Sequence, residues 1–122
     1  MNRKNISVLG GGSWGTVLAY LASLNENDVT LWMRDSNLAE EINKNKINLR
    51  YLPELSLGNN ITATSNIEDV QDSDLIIFCV PSDAFRSISM LASAVIKEKT
   101  FLITATKGVE KDDFSLMSSI LN

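Results

Sequence analysis

The chain has 122 residues, of which 44% are hydrophobic, so it has room for one domain with a modest core. Its 15 acidic residues outnumber its 11 basic ones, and the net charge of −4 argues against a nucleic-acid partner. A single cysteine and no histidine exclude an internal disulfide and argue against a metal site. There is no signal-peptide pattern and no run of about eighteen apolar residues, so we expect a cytoplasmic protein without a membrane span.

Three consecutive glycines separate an apolar run from a helical pattern near the amino terminus. The apolar, β-branched residues 5–9 predict a strand that is buried on both faces. The residues after the glycines predict a helix over 13–24, with an inward stripe of Val17, Leu18, Leu21 and Leu24. A second strand is predicted over residues 29–33, after a polar break. Strand, helix and strand in so short a span predict a βαβ unit with a right-handed crossover.

The glycines have the spacing G-x-G-x-x-G, which opens dinucleotide-binding βαβ units. Gly10 would permit the tight turn out of the strand, Gly12 would leave room for a pyrophosphate, and Gly15 would let the helix pack closely on the sheet. The start of the helix would add unpaired N–H groups and the positive end of its dipole. The alternative is a glycine-rich turn that only joins a strand to a helix, but the position and context favour the dinucleotide site.

Arg34 and Asp35 follow the second predicted strand, where a dinucleotide-binding domain contacts the adenosine ribose. An acidic residue there would bind the ribose hydroxyls of NAD, whereas a basic one would accept the 2′-phosphate of NADP or lie flat against adenine. The sequence offers both and leaves the choice open, although Arg34 favours a site that at least accepts NADP. The alternative is a solvated Arg–Asp pair that starts a loop. Ser36 is predicted to cap a helix over residues 37–45.

Residues 46–60 fit neither period and predict a long connection whose apolar residues pack on the sheet edge. The elements predicted after it are a strand over 61–64, a helical turn over 67–70 capped by Asn66 or Ser65, a buried strand over 74–80, a helix over 83–96 with Phe85, Ile88, Leu91, Ala92 and Val95 inward, a strand over 101–105, and a helix from about Asp113.

Five strands that alternate with helices predict an α/β fold, namely a Rossmann-type, doubly wound and mainly parallel sheet with helices on both faces. Residues 1–122 would form one dinucleotide-binding domain. All candidate functional residues would lie at the carboxyl ends of its strands: residues 10–14, Arg34, Pro81 with Ser82, and Thr106 with Lys107. Cys79 is predicted to be a small core residue.

Several stretches resemble, in the same order, the amino-terminal domain of the bacterial NAD(P)-dependent glycerol-3-phosphate dehydrogenase family, and together they cover essentially the whole chain. They are Gly-Gly-Gly-Ser-Trp-Gly-Thr at 10–16, Leu-Trp-Met-Arg-Asp at 31–35, Asn-Leu-Arg-Tyr-Leu-Pro at 48–53, Asn-Ile-Thr-Ala-Thr at 60–64, Val-Pro-Ser at 80–82 and Ala-Thr-Lys-Gly-Val-Glu at 105–110. The glycine motif is generic, whereas Gly-Ser-Trp-Gly combined with Asn-x-x-Tyr-Leu-Pro and Thr-Lys-Gly is specific. The chain departs from the family pattern at Gly58-Asn59 and Asp83, which carry no chemistry.

The resemblance implies an enzyme that interconverts dihydroxyacetone phosphate and sn-glycerol 3-phosphate by hydride transfer with NADP or NAD, for phospholipid synthesis. It implies a catalytic and substrate-binding role for Lys107, which would also reach the nicotinamide end of the cofactor. Positive charge suits that position because the carbonyl oxygen gains negative charge as the hydride arrives. The implied cofactor-binding residues are Gly10, Gly11, Gly12, Ser13, Trp14, Gly15, Arg34, Pro81 and Lys107.

Members of the family are longer, and a helical carboxyl-terminal domain supplies their general acid/base and their substrate-phosphate ligands. We therefore expect that domain to be absent from this chain, which stops within a helical pattern, and we expect the chain alone to be inactive. The parent enzyme would be a homo-oligomer. Two alternatives remain: the cofactor domain of a β-hydroxyacid dehydrogenase or ketopantoate reductase, and a non-catalytic module that senses NAD(P)H.

Overall fold

A computed structural model of the chain describes residues 4–105, without the side chain of Ser82. The predicted helix from Asp113 and the candidate residue Lys107 lie outside the described residues. In chain order the elements are β1 (Asn5–Leu9), α1 (Ser13–Ser23), β2 (Asp28–Trp32), α2 (Ser36–Asn45), β3 (Ile61–Thr64), a 3₁₀ helix (Ile67–Val70), β4 (Leu75–Phe78), α3 (Ser82–Ser93) and β5 (Phe101–Thr104).

The five strands form one parallel sheet in the order β3-β2-β1-β4-β5. The chain therefore starts in the middle of the sheet, builds outward to β3, and then crosses over to continue from β4 on the other side of β1. This is the doubly wound arrangement, and its strand order reverses at the carboxyl ends of β1 and β4. The predicted Rossmann-type fold is confirmed.

Both faces of the sheet are covered, because alternate side chains of the strands enter two separate hydrophobic cores. Val8 packs with α1 and α2 on one face, whereas its neighbour Leu9 packs with the 3₁₀ helix and α3 on the other. Both side chains are fully buried, and each such burial stabilises the fold by about 1.5–3 kcal/mol. The near-continuous apolar runs of β1 and β4 follow from this two-sided burial.

Helix α1 buries only part of the predicted stripe: Leu18 is in the core and Leu21 packs against it. Leu24 was predicted to point inward but is 56% exposed, and it lies just beyond the end of the helix. The buried face contains Gly15, Ala19 and Ala22 together with Leu18. These small residues let the helix lie close to the strands, and the pattern of large apolar residues did not predict them.

Several other predicted bounds differ from the structure at the ends of elements. Helix α3 ends at Ser93, three residues earlier than predicted, and Leu91 is 40% exposed although it was predicted to be inward. Strand β2 covers 28–32 rather than 29–33, β4 covers 75–78 rather than 74–80, and β5 stops at Thr104. Residues 46–60 form the predicted connection, and Leu57 within it is buried. The 3₁₀ helix that follows β3 is capped by Asn66 rather than by Ser65, the other predicted cap.

Candidate functional site

The turn after β1 is held between the carboxyl ends of both neighbouring strands. The backbone N–H of Gly10 donates to the carbonyl of Trp32 at 2.8 Å, and the N–H of Cys79 donates to the carbonyl of Leu9 at 2.8 Å. Gly10 has a φ of +132°, and a Cβ added there would lie 2.0 Å from the carbonyl oxygen of Cys79. Only glycine fits this position, because a side chain would be strained and would also strike the backbone of the adjacent strand.

The remaining glycines have different surroundings. A Cβ on Gly15 would lie 1.8 Å from the carbonyl oxygen of Gly10, so this residue lets α1 begin directly against the turn. A Cβ on Gly11 would approach the flexible side chain of Met33 to between 3.0 and 3.2 Å. A Cβ on Gly12 would meet nothing within 4 Å. Among the glycines of this turn, Gly12 is thus the one beside which there is open space, whereas protein atoms lie close to the other three.

Helix α1 starts at this open side without a side-chain cap. Gly12 is its N-cap residue, its first turn contains no acidic residue, and the carbonyl of Gly12 accepts from both the N–H and the hydroxyl of Thr16. With no side-chain cap and no carboxylate at this end, the positive end of the helix dipole favours an anion there. Ser13 and Trp14 are exposed at this start, and the Ser13 hydroxyl donates to the carbonyl of Tyr51 at 3.0 Å.

The connection 46–60 contributes a fully buried side chain to the site, which sequence reasoning missed. Asn48 Nδ2 donates to the carbonyl of Gly11 at 2.9 Å and to the hydroxyl of Thr16 at 2.8 Å. Its Oδ1 accepts from the backbone N–H of Tyr51 at 3.3 Å, and its own carbonyl accepts from the N–H of Leu52. The segment has no helical or strand period, and the only available signal was the presence of Asn48 in a stretch that resembles the family.

Arg34 and Asp35 have separate partners. One carboxylate oxygen of Asp35 accepts from two N–H groups in the first turn of α2, and the other pairs with Arg50 at 3.0 Å. Asp35 therefore caps α2, and the predicted cap Ser36 is its first residue. The Arg50 hydrogen bond, followed by the helix N–H groups, lowers the pKa of Asp35. Arg34 is exposed, and its Nη2 donates to the hydroxyl of Ser87 on α3 at 3.2 Å.

A hollow of about 750 Å³ lies between the 3₁₀ helix and α3. Its lining includes Ile67, Leu91 and Val95, and also Ser87, which accepts the hydrogen bond from Arg34. The Arg34 guanidinium therefore lies next to the hollow. Its walls are mainly apolar but also include Glu68 and Gln71, so the hollow suits a flat, partly apolar ring with polar edges.

The last candidate residues follow β4. Pro81 is the exposed N-cap residue of α3, at the same edge of the sheet as the glycine turn. Cys79 packs against the core as predicted, and burial raises the pKa of its thiol to about 11. Lys107 lies beyond the part of the chain that the structure describes, so its predicted position is untested. Within residues 4–105, no cluster of three metal-binding side chains and no helix able to cross a membrane occurs.

The fold and the glycine turn define a domain of the doubly wound, Rossmann type. The model of one family, described as NAD-dependent glycerol-3-phosphate dehydrogenase N-terminus, matches residues 5–122, and the chain belongs to this family. It is 44% identical over 117 residues to a glycerol-3-phosphate dehydrogenase [NAD(P)+] of Acinetobacter baumannii, covering 95% of this chain and 32% of the relative. A relative of the same name from Rickettsia massiliae is 46% identical over 123 residues, with 99% and 37% covered.

A solved structure of a glycerol-3-phosphate dehydrogenase also has a similar fold. The crystal structure of glycerol-3-phosphate dehydrogenase from Coxiella burnetii superposes with a TM-score of 0.81 at 28% identity, over 98% of this chain and 38% of that one. The chain therefore spans about a third of the length of the curated relatives it matches.

Proposed function

We propose that this chain binds NAD(H) or NADP(H) at the carboxyl ends of β1, β2 and β4, as the cofactor-binding part of an oxidoreductase that interconverts dihydroxyacetone phosphate and sn-glycerol 3-phosphate. The observation that carries the proposal is the contrast between Gly12, which faces open space, and Gly10 and Gly15, which are packed against backbone. Family membership over residues 5–122 supports the substrate pair.

The pyrophosphate would lie at the start of α1. Gly12 offers open space at its backbone, next to the positive end of the helix dipole. Trp14 is 37% exposed beside them and would cover one side of the phosphates. The absence of an acidic residue in the first turn supports this assignment, because a carboxylate there would repel the anion.

The adenosine end would lie at Arg34, beside the hollow between the 3₁₀ helix and α3. Both oxygens of Asp35 are already used by the helix cap and by Arg50, so Arg34 is the group that would meet the ribose. A guanidinium suits the 2′-phosphate of NADP and stacks on adenine. We therefore propose that the site accepts NADP as well as NAD.

The bound nicotinamide would supply a hydride from its C4 to the carbonyl carbon of dihydroxyacetone phosphate. We assign Lys107 to the nicotinamide end, where its ammonium would attract the anionic substrate and stabilise the negative charge on the carbonyl oxygen. Pro81 would border the cofactor from the β4 side. The general acid/base and the grip on the substrate phosphate would come from residues outside this chain, which spans about a third of its relatives. We also propose a homo-oligomeric, cytoplasmic parent enzyme that supplies phospholipid synthesis.

Calorimetric titration of NADPH and NADH into the 122-residue chain tests the cofactor site directly. We expect binding of both cofactors and no measurable oxidation of either with dihydroxyacetone phosphate. A longer chain that includes the parent's remaining residues should be active, and its Lys107→Ala variant should lose much of its kcat/KM while cofactor affinity falls less. Failure of the chain to bind either cofactor would refute the site, and turnover by the 122-residue chain would refute the division of labour.

A further inference from the structure

Asn48 is a polar side chain in the interior, and every polar atom of its amide has a partner. It is 0% exposed, although it lies in a connection without regular structure. The amide nitrogen uses its two hydrogens on Gly11 and Thr16, and the amide oxygen accepts from Tyr51. Because the buried side chain bonds to the glycine turn, to helix α1 and to the connection, it fixes the relative positions of these three segments.

The bond to Gly11 also sets the direction of the next N–H group. In a planar trans peptide the carbonyl of one residue and the N–H of the next point in opposite directions. The carbonyl of Gly11 points inward to the Asn48 amide, so the N–H of Gly12 points away from it. The carbonyl of Gly12 points along the helix to Thr16, so the N–H of Ser13 points outward from the helix start.

We propose that Asn48 is a positioning residue for the pyrophosphate, because it holds the glycine turn with the N–H groups of Gly12 and Ser13 directed at the ligand. The inference rests on the cofactor site proposed above. Glycines have the largest freedom of any residue, so a turn with three of them needs an external group to hold one peptide orientation. Asn48 supplies that group from a different part of the chain.

The same amide joins the connection to the turn. Its Oδ1 accepts from the N–H of Tyr51, while the carbonyl of Tyr51 accepts from the hydroxyl of Ser13. The turn at 48–52 is closed by the bridge between Asn48 and Leu52. Two of its residues bond to the start of α1: Asn48 through its side chain, and Tyr51 through its carbonyl. These bonds place the backbone of Tyr51 beside the helix start, so the connection borders the site.

The test compares two isosteric variants with a matched control. Asn48→Asp keeps the shape and the acceptor for Tyr51 but has no hydrogens for Gly11. Because its carboxylate would also repel a phosphate, the positioning role stands only if the uncharged Thr16→Val variant shows a loss of the same kind. Thr16→Val keeps the volume and removes the hydroxyl that receives the second Asn48 hydrogen. Asn60→Asp is the control, because Asn60 Nδ2 also donates twice, to Ser23 at 2.9 Å and Asn27 at 2.7 Å, at the opposite end of the sheet.

Two probes separate positioning from general stability. ADP-ribose contains the pyrophosphate, whereas adenosine 2′-monophosphate lacks it and would depend on the Arg34 end. By NMR titration of the folded chains, we expect Asn48→Asp to weaken ADP-ribose roughly 10–100-fold, as for a lost hydrogen bond to a charged group, with adenosine 2′-monophosphate changed less than about twofold. Thr16→Val should show a smaller change of the same kind, and Asn60→Asp should show neither.

The outcomes are distinguishable. A wild-type chain that binds neither ADP-ribose nor NADPH would refute the cofactor site and, with it, the role of Asn48. Wild-type binding with unchanged ADP-ribose affinity in Asn48→Asp would refute only the positioning role. Equal losses for both probes would show that Asn48 maintains the fold and nothing more. If Asn48→Asp does not fold, Thr16→Val decides by the same comparison of the two probes.

Discussion

Replacing Gly12 by valine should abolish cofactor binding while leaving the fold nearly intact. A side chain on Gly12 meets nothing within 4 Å, and its backbone, with φ −76° and ψ −169°, is extended, which valine adopts readily. The cost to folding is confined to the helix cap, where an apolar residue is worse than glycine by about 1 kcal/mol. For a domain of this size that corresponds to a fall of about 4 °C in Tm.

The cost to binding is much larger. The valine would stand where the pyrophosphate must approach the backbone, so the charge-assisted hydrogen bonds from the turn would be lost. Each is worth about 1.5–3 kcal/mol, and loss of two would weaken NADPH by roughly 3–6 kcal/mol. The dissociation constant should therefore rise by about two to four orders of magnitude.

Gly15→Ala is the matched comparison, because its methyl group would lie 1.8 Å from the carbonyl oxygen of Gly10. The backbone must shift to accept it, and we expect a loss of at least about 2 kcal/mol in the free energy of unfolding. Circular dichroism melts and calorimetric titration with NADPH on both variants separate the two effects. The reasoning is refuted if Gly12→Val binds NADPH as the wild type does, or if it melts as early as Gly15→Ala.

Three further predictions concern charged and ionisable groups. Arg34→Ala should weaken NADPH more than NADH in calorimetry, by roughly 1.5–3 kcal/mol for a lost contact to the 2′-phosphate; equal losses would indicate stacking on adenine instead. Because the pKa of Asp35 is lowered in the folded chain, its carboxylate stabilises the fold above the ordinary value of 3.8 and that contribution disappears as the pH falls through the lower folded pKa, so Tm measured from pH 6 to pH 2 should fall less in Asp35→Asn than in the wild type. With a pKa of about 11, roughly one Cys79 thiol in a thousand is ionised at pH 8, so alkylation of the folded chain should be slow and rise about tenfold per pH unit, whereas a rate that levels off near pH 9 would contradict the burial.

Local sequence patterns were sufficient to predict the structure where it depends on the residue types of one short segment. Strands β1 and β3 have the predicted bounds because their apolar, β-branched runs are unambiguous. The glycines fell at a tight turn because the spacing of Gly10 and Gly15 matches two close backbone approaches. The parallel, doubly wound sheet followed from the alternation of strands and helices, which allows few connections.

The predictions failed where the local structure depends on contacts with residues that are distant in sequence. The buried face of α1 depends on small residues that approach the sheet, and the pattern of large side chains does not reveal them. Asp35 and Ser36 are both good N-cap residues, and the choice between them was decided by geometry and by Arg50, fifteen residues away. Asn48 was overlooked because its partners are 32 and 37 residues away in sequence.

If the start of α1 binds the proposed cofactor, its lack of a side-chain cap would tie the lifetime of the folded protein to the cofactor supply. A serine or aspartate at Gly12 would cap the helix by itself, but its side chain would stand in the space that is now open. An anion that completes the helix adds its binding energy to the free energy of unfolding, about 2.7 kcal/mol at a concentration 100 times its dissociation constant. A cell short of nicotinamide dinucleotide would then hold a chain whose first helix frays more often, and proteases would remove it sooner.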